Sequence, residues 1–258
     1  LSLRRQRQMC IRDRWKRRIS RWWPHLFPLK SGPAVLPRRL VAVGDRVYTT
    51  LSLEGPLVSL DAATGKILRT YKGSEGTEEI IFSDGVLFVV SDPNFRKPLE
   101  RFHQQWSNCW VARNHRSEEF AWKGRERLLL AIEADTGKFL WRKKMPIAPL
   151  TLAVDRDRVY LTSTDTIIAL DRRNGEQVWT SERVPRRNTT AIAPRLTLHH
   201  GVILYHGGIK RDVIALSAET GEILWKGQIQ PSSHFCPWDI LCIDGIAWSG
   251  AIAGARHS

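Results

Sequence analysis

"IIALDRRNGEQVWTSE" (residues 167–182) carries the pattern that decides the fold. An apolar run ends in an acid, a glycine follows four residues later, and a tryptophan follows four residues after that. The same order returns in "LVSLDAATGKILRT" (57–70), "LLAIEADTGKFLWR" (129–142) and "VIALSAETGEILWK" (213–226). Four copies make a repeat, and a repeat has to be aligned before any single element is interpreted.

Aligned, the motif has three positions. Asp61, Glu133, Asp171 and Ser217 present a side-chain oxygen that can cap a turn. Gly65, Gly137, Gly175 and Gly221 take its left-handed position. Arg69, Trp141, Trp179 and Trp225 then stand on a further strand. Upstream lies a second kind of turn, in "VGDRVY" (43–48), "FSDGVLF" (82–88), "VDRDRVY" (154–160), "LHHGVIL" (198–204) and "CIDGIAW" (242–248). Asp-Gly and similar pairs suit tight hairpins because they tolerate positive φ. The equivalent residues Val47, Val86, Val159, Val202 and Ile246 are 39, 73, 43 and 44 apart. The one long spacing is explained by residues 91–126, which break the alternation and read as an insert.

Pro37, Pro149, Pro194 and Pro237 precede the upstream turns, where proline can open a strand without interrupting a ladder. Each unit therefore predicts four short antiparallel strands in one period. That count and period fit a β-propeller blade, with the tryptophan packing on the neighbouring blade near its turn glycine. The expected fold is all-β: an incomplete propeller of four-stranded antiparallel blades, about four blades of a seven- or eight-bladed parent. "WKRRI" (15–19) resembles "WRKKM" (141–145), so residues 15–35 are expected to be the tail of a preceding blade and its connection. Residues 36–258 form the partial propeller. Closure hides sheet edges, so the missing blades are expected to be required and the bare chain to be poorly soluble or domain-swapped.

Composition narrows the function classes. The 258 residues carry a formal charge of +14. Residues 1–39 hold 12 Lys/Arg against one Asp, which leaves only +3 for residues 40–258. The basicity is terminal, and the repeats are nearly balanced, so nucleic acid is not indicated as a partner. Residues 4–13, "RRQRQMCIRD", resemble a translated sequencing adapter, and residues 1–14 are expected to be an artefact. No apolar run is long enough for a transmembrane helix. The four cysteines, at 10, 109, 236 and 242, show no zinc spacing. Cys236 and Cys242 read as unpaired small residues, with a disulfide between them the alternative. His199 and His200 are adjacent and point in different directions, with His206 farther along, so a shared metal is not expected. No nucleophile elbow or phosphate-binding loop is present.

The "AxDxxTGxxxW"-type stretches, above all "IALDRRNGEQVW" and "IALSAETGEILW", resemble the tryptophan-docking repeat of the pyrroloquinoline-quinone-like (PQQ-like) β-propellers; "SLDAATGKILR" departs from it at Arg69. The resemblance implies two kinds of protein. One is a quinoprotein dehydrogenase holding PQQ and Ca²⁺ at the propeller axis, with an adjacent cysteine pair and an Asp base. The other is a propeller without catalysis, such as the lipoprotein propeller of outer-membrane protein assembly. No Cys-Cys occurs here, and no calcium ligand set can be assigned. The expectation is therefore a non-catalytic scaffold in an exported, periplasm-like setting. It would bind a protein or small ligand at the propeller face, with no catalytic residue, metal or cofactor. A PQQ/Ca²⁺ dehydrogenase fragment is the alternative, as is a sensor propeller once fused to a catalytic domain.

Propellers present ligands at the ends of the innermost strands. Arg38, Arg39, Glu78, Glu79, Arg195 and Asp239 fall there. They are expected either to grip a ligand or to form a solvated rim of internal ion pairs. The insert carries Trp106, Trp110 and Trp122 and reads as a lid, a partner-binding arm or an edge cover, with 97–107 a candidate helix. "RWWPHLFPLKSGP" (21–33) is expected to wrap the surface between blades.

Overall fold

Runs such as "LFVV" and "LLLAI" are too continuously apolar for a strand with one wet face, which would alternate. The computed structural model describes residues 15–17, 38–52, 54–93, 126–148, 150–185, 194–207, 212–228 and 240–249. In it these runs are central strands buried on both faces. The first sheet takes β1 (Leu40–Val43), β2 (Arg46–Thr50), β3 (Leu57–Asp61) and β4 (Ile67–Tyr71). The second takes β5 (Thr77–Ser83), β6 (Val86–Ser91), β7 (Glu126–Glu133) and β8 (Phe139–Pro146). The third takes β9 (Ala153–Val154), β10 (Arg158–Ser163), β11 (Thr166–Asp171) and β12 (Gln177–Arg183). The fourth takes β13 (Arg195–His199), β14 (Val202–His206), β15 (Asp212–Ser217) and β16 (Ile223–Gln228). A two-stranded sheet of β17 (Ile240–Ile243) and β18 (Ile246–Ser249) follows. Every four-stranded sheet pairs its strands in chain order, antiparallel throughout.

The sheets stack as blades. Their first strands β1, β5, β9, β13 and β17 lie against one another in succession, and the fourth strands stand outermost. Successive residues of one strand enter different seams. Leu87 and Val89 pack with Tyr48, Leu57 and Tyr71 of the first blade. Phe88 and Val90 pack with Val159, Leu161 and Leu170 of the third. Each such side chain, fully buried, contributes about 1.5–3 kcal/mol, so the core consists of the seams.

The turns form as the residue types require. Asp84 and Gly85, His200 and Gly201, and Asp244 and Gly245 each pair two positive φ values between hairpin strands, the geometry that matches strand twist. In the downstream turns the N–H of each glycine donates to the main chain four residues back: Gly65 to Asp61, Gly137 to Glu133 and Gly175 to Asp171 at 2.8 Å, and Gly221 to Ser217 at 2.9 Å. Both turn types lie at one end of the blades and are tied together, for example by Ala134 N–H donating to Gly85 O at 2.8 Å. The opposite end holds the strand starts, the inter-blade connections and the attachment points of the insert, Ser91 and Glu126. The body of the insert, residues 1–14 and 18–37, Pro149, Pro237, Cys236 and Asp239 lie outside the described residues.

Candidate functional site

Two sets of residues matter: the turn motif that joins blades, and the charged group at the strand starts. In the motif, Asp61 Oδ1 accepts from the Thr64 N–H and hydroxyl, both at 2.6 Å, which holds its carboxyl below the usual range. Asp171 is also held low, first by the Arg173 side chain and then by the Arg173 N–H. The glycine beyond each cap faces an incoming indole. A Cβ on Gly175 would stand 2.8 Å from the Trp141 ring, and one on Gly221 would stand 2.5 Å from the Trp179 ring. The indoles also donate to the turn: Trp141 Nε1 to Arg172 O at 2.8 Å and Trp179 Nε1 to Ala218 O at 3.1 Å. Trp15 sits on Gly65 in the same way and donates to Ala62 O at 2.8 Å. Arg17 caps the Gly65 carbonyl as Lys143 caps that of Gly175, each at 2.8 Å. Trp225 is 47% exposed and lies over Gly227 of its own strand.

The departing copy is repaired in a way the pattern does not announce. Where Arg69 replaces tryptophan, its Cδ stands 3.1 Å from a Cβ placed on Gly137. The missing N–H donor is supplied two residues on, by Tyr71, whose hydroxyl donates to Ala134 O at 2.6 Å. Ala134 holds the turn position of Ala62, Arg172 and Ala218. Longer cations bind the seams from the other turn. Arg46 pairs with Asp135 at 2.8 Å. Arg158 donates to Ala218 O and Glu219 O at 2.8 and 2.6 Å.

The charged group was expected as a gripping site or a solvated rim. The structure buries most of it: Arg39, Glu78, Glu79 and Arg195 are all buried, and among its described members only Arg38 is partly open. Glu79 takes Arg38 of the first blade at 2.6 Å and the Leu152 N–H, entering the third blade, at 3.4 Å. A bulge at Glu78, between register pairs Thr77–Ser91 and Glu79–Val90, accommodates the two consecutive acids. Glu78 pairs with Arg127, which also donates to Ile147 O at 3.1 Å. Arg127, only 1% exposed, is the residue sequence reasoning missed. Its one signal is a cation at the head of the apolar run "LLLAI".

Burial sets the electrostatics. Desolvation brings Arg39 down to about 10, against the pull of Glu78. It raises Glu79, against Arg38. It lowers His206, whose Nδ1 lies 2.8 Å from Asp212 O and whose cross-strand partner is Arg195. The group welds three blades through charge-assisted bonds. Its described carboxylates are engaged by guanidinium groups. Calcium takes six to eight oxygens as a rule, and the described residues do not fit it. Among them no group of three or more His, Cys, Asp or Glu is placed to hold a metal. Cys242 carries a free, half-buried thiol, pushed up by burial.

Comparison with known proteins agrees with this geometry. Residues 116–234 match the family described as Outer membrane protein assembly factor BamB. A relative of that name from Kangiella koreensis is 42% identical over 152 residues, covering 58% of this chain and 38% of the relative. These are PQQ-like propeller repeats. A second PQQ-like relative, Quinohemoprotein alcohol dehydrogenase ADH IIB from Pseudomonas putida, is 28% identical over 130 residues, 43% of this chain and 19% of that protein. The chain thus spans less than two-fifths of either curated relative. The crystal structure of BamB from Moraxella catarrhalis superposes with a TM-score of 0.54 at 17% identity, over 82% of this chain and 57% of that one, a likeness of fold.

Proposed function

We propose that these blades belong to a non-catalytic scaffold that holds protein partners in the cell envelope, in the assembly of outer-membrane proteins. The observation that carries this reading is the axial charge group. Where a quinone–calcium site would need open carboxylates, Glu78 and Glu79 are spent on Arg127 and Arg38. The 42% identical relative, an assembly factor by name, supports the same reading. Residues 15–17 are read as the end of a preceding outer strand, because Trp15 meets Gly65 as Trp141 meets Gly175.

The test is genetic and enzymatic. The gene that carries these repeats should restore outer-membrane porin levels in a strain lacking its own assembly propeller. The purified product should oxidise neither alcohols nor sugars with PQQ, Ca²⁺ and a dye acceptor. Quinone-dependent turnover would overturn the scaffold in favour of the dehydrogenase suggested by the 28% identical relative.

A further inference from the structure

The outer strands of the first two blades differ in charge from those of the next two. Residues 66–72 carry Lys66, Arg69 and Lys72, and residues 138–146 carry Lys138, Arg142, Lys143 and Lys144, with no carboxylate in either stretch. By contrast, residues 176–183 carry two Glu and one Arg, and residues 222–228 carry one Glu and one Lys. Of the seven cations, Lys144 pairs with Glu126 and Lys143 caps a carbonyl. Among the described residues the other five make no ion pair.

Two of them, Arg69 and Arg142, lie at the seam between the first and second blades. Between the second and third blades, and between the third and fourth, an indole occupies the docking position. Between the first and second that position belongs to Arg69, packed over Gly137 with an exposed side chain. From the facing strand the Arg142 guanidinium lies 3.7 Å over the Phe139 ring, and both approach Gly73. The ring contact holds that guanidinium in place, which lowers the entropy lost on binding. Bulges leave Leu68 and Leu140 on the same two strands 50% and 42% exposed.

We propose that this seam docks an extended acidic segment of a partner protein, whose carboxylates meet Arg69 and Arg142 and whose apolar residues meet Leu68 and Leu140. Guanidinium groups favour carboxylates through paired, charge-assisted bonds. An extended chain alternates its side chains along its length, so one segment can offer carboxylates and apolar residues to the two neighbouring outer strands in turn. The proposal gives the scaffold reading a partner chemistry and rests on it.

Fluorescence anisotropy with a short labelled peptide alternating Glu and Leu tests it. The peptide should bind, and binding should weaken as salt rises past about 0.15 M. Arg69→Glu and Arg142→Glu should each lower affinity about tenfold or more. Lys226→Glu, the same charge change on the far rim, should leave it unchanged. A photo-reactive form of the peptide should label residues 66–72 and 138–146 of the unmodified chain, a readout independent of how the variants fold. Absence of binding, equal loss in all three variants, or labelling elsewhere would overturn the proposal. So would capture by phosphatidylglycerol vesicles without peptide binding. None of these results touches the scaffold reading, which falls only to quinone-dependent turnover or failed complementation.

Discussion

Gly85, Gly137 and Gly175 share one backbone conformation, with φ of 77°, 77° and 74°, but differ in what a methyl group would meet. Beyond Gly85 there is open space; beyond Gly137 lies the flexible Arg69 chain; beyond Gly175 lies the Trp141 ring at 2.8 Å. Alanine at any of them carries the left-handed cost of about 1–2 kcal/mol, partly offset by about 0.4–1 kcal/mol from a stiffer unfolded chain. Gly85→Ala should therefore cost about 1 kcal/mol, and Gly137→Ala little more because Arg69 can move. Gly175→Ala must also displace a packed indole hydrogen-bonded to Arg172 O, adding about 1–3 kcal/mol of overpacking. Its total is about 2–4 kcal/mol. Urea unfolding followed by tryptophan fluorescence reads the difference. With a slope of about 3 kcal/mol per M, a gap of about 2 kcal/mol separates the midpoints by about 0.7 M. Equal midpoints for Gly85→Ala and Gly175→Ala would refute the claim that the indole seat, and not the turn alone, stabilises the seam.

Three further predictions use the same measurement. Tyr71→Phe should cost about 1 kcal/mol by leaving Ala134 O without its donor, and adding Arg69→Trp should recover it; no recovery would sink the equivalence of the two donors. Arg127→Met should cost about 3–5 kcal/mol by stranding buried Glu78, with most of the loss regained in Arg127→Met/Glu78→Gln; additive losses would count against the pairing. His206 is held below its ordinary 6.5 by burial, so the native state binds fewer protons than the unfolded chain below that pH. Stability should thus fall as pH drops below 6.5, and His206→Asn should remove that part of the decline; an unchanged pH profile would contradict it.

The blade order, the turns and the seat of the tryptophans beside a neighbouring blade's turn glycine were legible because each follows from a local rule at fixed spacing; that the seat lies on the following blade came from the structure. Gly65 or Gly175 needs only its neighbours to be recognised. The Arg69–Tyr71 exchange was not legible, because the substitute donor stands two residues away and works only when the Ala134 carbonyl is brought to it. The charge group was half legible. Glu78 and Glu79 were placed at a strand start. Their burial, and the choice of Arg127 as partner across an insert, depend on contacts between residues 49 apart. The exposure of Leu40, Leu241, Ile243 and Trp248 on the first and last sheets is likewise a property of stacking, which no single repeat encodes.

The three described indoles that seat on a turn glycine of another blade each reach a sheet made later: Trp15 the first blade, Trp141 the third, Trp179 the fourth. A ribosome or secretion channel delivers the chain in that same order. Trp141 therefore emerges 31 residues ahead of its acceptor carbonyl and Trp179 emerges 39 residues ahead. At synthesis rates of about 5–20 residues per second, each ring waits about 2–8 s before its seat arrives. During that interval the newest blade shows a sticky aromatic flank to whatever is near, so the nascent chain presents one such flank at a time, moving blade by blade towards its C-terminus.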